Sequence, residues 1–159
     1  MIAVYNNKEY YYVLNKKISN LVTKKKTKID LGFKRSDNKY FKPIQKEELK
    51  DIFDIEYWVT YDCGINNIST EWKIGSNTFD IIENSVLIRY SDGIIPGWDI
   101  EEKSVCTKLI NKKEISNFKI IKKYIRKDNL DLPEILEEEI KLNFNEFKKI
   151  HNKYCKYNL

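Results

Sequence analysis

The amino-acid sequence predicts an α+β fold: an antiparallel, meander-like sheet of about six to eight strands over residues 1–110, then two C-terminal helices packed on one side of it. Three observations predict this. Short β-prone runs, separated by Asn, Asp and Gly turn signals, recur through the first 110 residues. Beyond them the apolar spacing changes from two residues to about 3.6. Gly and Pro number only five and three in 159 residues, no linker or repeat interrupts the chain, and a single domain over residues 1–159 is expected.

Element by element, Met1–Tyr5 and Tyr10–Leu14 read as strands around an Asn6-Asn7-Lys8 turn, a hairpin. Thr27–Phe33 sets Ile29, Leu31 and Phe33 on one face and Lys28 and Asp30 on the other. Pro43 precedes a short helix over about Lys46–Phe53, with Leu49, Ile52 and Phe53 at helical spacing. Glu56–Asp62 places Tyr57, Val59 and Tyr61 opposite Trp58, and Thr70–Ile74 carries Trp72 and Ile74 in step. Phe79–Ile82 and Val86–Tyr90 flank a Glu83-Asn84 turn, and Val105–Ile110 is the last strand. Ser116 then caps a helix to about Lys127, striped by Phe118, Ile121 and Ile125. Asp131 caps a second, with Pro133 and Glu137–Glu139 near its positive end and Lys148, Lys149, Lys153 and Lys156 near its negative end. The apolar stripe of this second helix runs from Leu132 to Tyr154 through Leu136, Ile140, Phe144 and Phe147.

Composition narrows the chemistry. Cys63, Cys106 and Cys155 are an odd, widely spaced set, which favours a reducing compartment and burial as small apolar residues over a disulfide framework. No Cys/His cluster exists, so neither a metal nor a cofactor is expected. No apolar run reaches about 18 residues, which predicts a cytoplasmic protein with no membrane partner. His151, the single histidine, lies among lysines on the second helix and reads as a surface or boundary residue. No catalytic residue is assigned. An enzyme of nuclease type, built from Lys, Tyr and carboxylates, remains an alternative.

Charge is unevenly distributed. The chain carries +5 overall, yet Asn15–Lys46 holds eleven Lys or Arg against two acids. Lys24, Lys25, Lys26, Lys28, Lys34 and Arg35 form a candidate anion-binding group for RNA or DNA. The competing reading is a solvated surface, because only three of 29 basic residues are Arg and Lys, Asn and Ile together reflect AT-rich coding. The aromatic runs EYYYV and EYWVTYD could stack bases, but their neighbours Glu9, Glu56 and Asp62 have the wrong sign, so core packing is expected.

The stretch SDGIIPGWDIEE, Ser91–Glu102, concentrates the opposite charge. Asp92-Gly93 and Pro96-Gly97 are turn signals that hold Trp98 on a constrained segment, followed by Asp99, Glu101 and Glu102. Two roles fit Trp98: a lid on the core, or an aromatic anchor rimmed by Asp92, Asp99, Glu101 and Glu102 for a basic protein. With its small size and α+β layout, this Gly- and Trp-bearing turn resembles the small cytoplasmic immunity proteins of bacterial toxin systems, including those of contact-dependent growth inhibition. That resemblance implies a non-enzymatic protein that occludes a cognate toxin domain, often a nuclease.

Overall fold

Two adjacent asparagines make the first turn. Asn6 and Asn7 both adopt positive φ, 48° and 55°, as a type I′ turn requires, and join strand β1 (Ile2–Tyr5) to β2 (Lys8–Val13) with Tyr5 opposite Lys8. The structure, a computed structural model, describes residues 1–14, 19–24, 32–125 and 135–155. It divides into two compact units, Met1–Ile55 with Lys122–Glu138 and Glu56–Ile121 with Glu139–Leu159.

The first unit continues through β3 (Ser19–Thr23), β4 (Lys34–Ser36), β5 (Lys39–Ile44) and the start of β6 (Asp51–Thr60). Another two-residue hairpin, with Asp37 at φ 53°, sets Ser36 opposite Lys39. Counting β7 (Glu71–Ile74), β12 (Asn117–Ile125) and β13 (Ile135–Leu142), the first sheet runs β13-β12-β6-β1-β2-β3-β5-β4, with β7 pairing β6. Alternation along β2 turns Tyr10 and Tyr12 into a core shared with Ala3, Leu21, Leu49 and Ile52. Tyr10 stacks on Phe33 at 5.4 Å between ring centroids. The tyrosines of EYYYV that face inward are therefore core, as their acidic neighbour implied.

In the second unit, β6 pairs antiparallel with β7, and the Trp72 indole N–H donates to the Tyr61 carbonyl at 2.8 Å. A second sheet is formed by β8 (Ile81–Ile82), β9 (Ser85–Tyr90), β10 (Asp99–Glu102) and β11 (Val105–Asn111), in the order β10-β11-β9-β8. The expected turn at Glu83-Asn84 joins β8 to β9, with Glu83 at φ 47° and Ile82 opposite Ser85. Helix α1 (Phe144–Cys155) starts at a reciprocal capping box: Glu146 N–H donates to Asn143 Oδ1 at 3.0 Å, and Asn143 N–H donates to Glu146 Oε2 at 3.1 Å. Among the described residues no helix is long and apolar enough to cross a membrane.

The α+β class stands: among the described residues, a mostly antiparallel sheet structure with one C-terminal helix. The helix count does not stand. Among the described residues, Asn117–Ile125 of the segment expected as a helix from Ser116 is strand β12, and of the segment expected as a helix from Asp131, Ile135–Leu142 is strand β13 and only Phe144–Cys155 is helical. The charges that read as a helix dipole act instead as cross-strand partners. Lys119 Nζ meets Glu139 Oε2 at 3.2 Å, Lys123 Nζ meets Glu137 Oε1 at 3.3 Å, and the Tyr124 hydroxyl donates to Glu138 Oε2 at 2.8 Å. Those glutamates satisfy neighbouring strands instead of a helix dipole. The expected helix at Lys46–Phe53 is a 3-10 turn at Lys46–Glu48 followed by β6. Eleven strands, not six to eight, are described up to Asn111, because β3, β4, β5 and β10 are short or polar. Of the expected strand Thr27–Phe33, residues 27–31 lie outside the described residues, and Gly32-Phe33 is turn and coil.

Candidate functional site

The Ser91–Glu102 segment is shaped by one turn. Trp98 N–H donates to the Ile95 carbonyl at 3.1 Å across Pro96-Gly97, and Gly97 sits at φ 79°. Proline second and a left-handed glycine third make this a type II turn. It turns Ile95 and Trp98 inward together, and both are buried. The Trp98 ring lies 5.4 Å from Trp72, which lies 6.1 Å from Tyr90. Of the two roles read for Trp98, the inward one is what the structure holds. With 8% of its surface exposed, the ring closes the core of the second unit and offers a partner little area.

The acids lie outside. Asp92 and all four residues of β10 are exposed. Glu101 Oε2 accepts from Arg89 Nε at 3.2 Å, while Arg89 Nη1 donates to Asp80 Oδ1 at 2.7 Å and the guanidinium stands 5.5 Å from the Phe79 ring centroid. Asp80 is fully buried and its other oxygen takes the Asn77 N–H at 2.6 Å. Its hydrogen bond to Asp80 raises the Arg89 pKa above its ordinary value, more than burial lowers it. Two residues absent from the sequence reading complete this surface: Ile94 and Ile100, 57% and 62% exposed. The signal for them was present. Ile94-Ile95 are adjacent on a tight turn, so one must point out, and Ile100 alternates with Asp99 and Glu101.

The candidate anion-binding group is only partly described. Lys24 is exposed after β3, and Lys34 and Arg35 are exposed on β4, with Arg35 Nε donating to the Asp37 carbonyl at 3.1 Å. Lys25, Lys26 and Lys28 lie outside the described residues.

A separate polar centre is buried in the second unit. His151 is not a surface residue: it is fully buried on α1, with Nε2 3.0 Å from the Gly75 carbonyl. Donation from Nε2–H to that carbonyl leaves Nδ1 as acceptor, and the Cys155 thiol lies 3.3 Å from it. The Tyr57 ring packs on the imidazole at 4.8 Å, and its buried hydroxyl has no hydrogen-bond partner among the described residues. Burial holds His151 below its ordinary value against the opposing pull of the Gly75 carbonyl and Asp80. Burial also pushes the Cys155 thiol up to about 12 and raises Tyr57 well above its ordinary value. Imidazole, thiol and phenol are thus neutral near pH 7 and closed to a substrate outside. Cys106 is buried as expected, and Cys63 is half-buried. Among the described residues no three His, Cys, Asp or Glu side chains are grouped to hold a metal ion.

The family model described as uncharacterised conserved protein UCP033725 matches residues 1–90 of the chain. No curated protein and no solved structure matches it.

Proposed function

The chain belongs to that uncharacterised conserved family, and from its own surface we propose that it is a non-catalytic, cytoplasmic binding module of immunity type, which neutralises a basic bacterial toxin domain by occlusion. One observation carries the reading. Ile94 and Ile100 are exposed in the same short stretch of chain as the exposed Asp92, Asp99 and Glu102, so apolar and acidic surface lie close in sequence on a chain whose net charge is +5. Apolar area supplies affinity, and a rim of one sign supplies encounter rate and partner choice. Trp98 and the Pro96-Gly97 turn support this surface from behind, so little is left to order on binding. The resemblance of the same segment to toxin-immunity proteins names the partner class, nucleases among them.

Co-expression gives the test. The partner expected is the C-terminal domain of a secreted protein encoded directly upstream. The chain should restore growth to cells expressing that domain and co-purify with it in a fixed ratio. Failure of both ends the reading.

A second reading rests on the exposed Lys24, Lys34 and Arg35, a basic surface suited to RNA or DNA. It predicts retention on nucleic acid that falls steeply with salt, and no retention at low salt removes it.

A further inference from the structure

We infer that strand β10 takes up an extended basic segment of the partner by main-chain pairing, as an added strand on the second sheet. The inference rests on the proposed binding role of this surface and specifies how the partner is held.

β10 is an edge. In the order β10-β11-β9-β8 it pairs with β11 on one side, and no described strand pairs on the other. All four of its residues, Asp99 to Glu102, are exposed. The opposite edge is closed differently. β8 is only two residues long, and its turn is tied down by Lys148 Nζ donating to the Glu83 carbonyl at 2.6 Å and by Lys112 N–H donating to the Asn84 carbonyl at 2.8 Å. The edge at β10 presents backbone donors and acceptors that no described strand pairs.

Proteins guard such edges with charge and bulges, and β10 has both: three acids and a register shift between Ile100 and Glu102. The guard has a single sign. It repels an acidic strand, including the β10 of a second copy, and attracts one bearing Lys or Arg. Alternation sharpens the fit. Glu101 is already engaged by Arg89, which leaves Asp99 and Glu102 for cations and the exposed Ile100 for an aliphatic side chain. In strand addition the main chain supplies affinity and alternate side chains supply selection. The occupant is therefore a segment alternating basic and aliphatic residues.

The experiment is amide hydrogen exchange read by NMR, with a synthetic peptide of alternating Lys and Val as probe and its Glu/Val counterpart as control. With the Lys/Val peptide, exchange at one or more amides of Asp99–Glu102 should slow by about tenfold or more, and the Glu/Val peptide should leave them unchanged. Asp99→Lys with Glu102→Lys should abolish the protection while the circular dichroism spectrum stays that of the parent. No binding of the Lys/Val peptide, or protection confined to other segments, overturns strand addition. The two readings separate on the toxin domain itself. If it binds with β10 amides unprotected, strand addition fails and the binding role survives; if it does not bind at all, the binding role fails first.

Discussion

The two sides of Ser91–Glu102 obey different rules although they share one short stretch of chain. Inside, Ile95 and Trp98 are fastened by a type II turn, the Trp72 ring and a core that excludes water. Outside, Ile94, Asp99, Ile100 and Glu102 are exposed to solvent. The inner side serves stability, and recognition is the role proposed for the outer side. Substitutions should divide accordingly.

The largest effect belongs to the inner side. Trp98→Ala should destabilise the protein by about 3–5 kcal/mol in urea titration, since it empties a ring-sized volume against Trp72. A loss under about 1 kcal/mol would mean the ring is not part of the core. Gly97→Ala comes next, at roughly 1–2 kcal/mol, the cost of a left-handed non-glycine residue. A Cβ there would meet nothing within 4 Å, so the penalty is one of backbone alone and the proposed binding surface should survive it.

Acidification probes the interior at a different place. His151 is neutral in the fold and its pKa lies below the ordinary value of 6.5. Between those two values the unfolded chain binds more protons than the folded one, so stability is complete above pH 6.5 and declines as pH falls beneath it. The urea midpoint should drop over that window, and His151→Gln should flatten the drop. An unchanged slope in the variant would assign the acid sensitivity to other groups. The smallest stability effect belongs to the outer side: Asp99→Lys with Glu102→Lys should stay within about 0.5 kcal/mol of the parent.

The sequence made some of this contrast legible. Asn6-Asn7 and Glu83-Asn84 announced their hairpins because turn chemistry is local. The acids of β10 announced themselves as exposed, whereas the direction of Trp98 depended on Trp72, distant in sequence and visible only after folding. Strands β12 and β13 were illegible for a related reason. Lys119 and Lys123 against Glu137 and Glu139 are cross-strand partners, and a window along the chain reads the same charges as a helix dipole. The start of α1 could have been found, since Asn143 and Glu146 have capping-box spacing, but the apolar stripe from Leu132 onward concealed it. His151 was misplaced because the carbonyl that accepts its proton is that of Gly75, on another part of the chain.

Calorimetric titration of the proposed partner, a toxin domain encoded directly upstream, into the parent chain and into the Asp99→Lys, Glu102→Lys variant tests the outer side most directly. If recognition occurs through the acidic edge, the variant binds at least about tenfold more weakly at equal folding stability, and the gap narrows as salt is raised. Equal affinities for the two proteins at low salt would contradict the account.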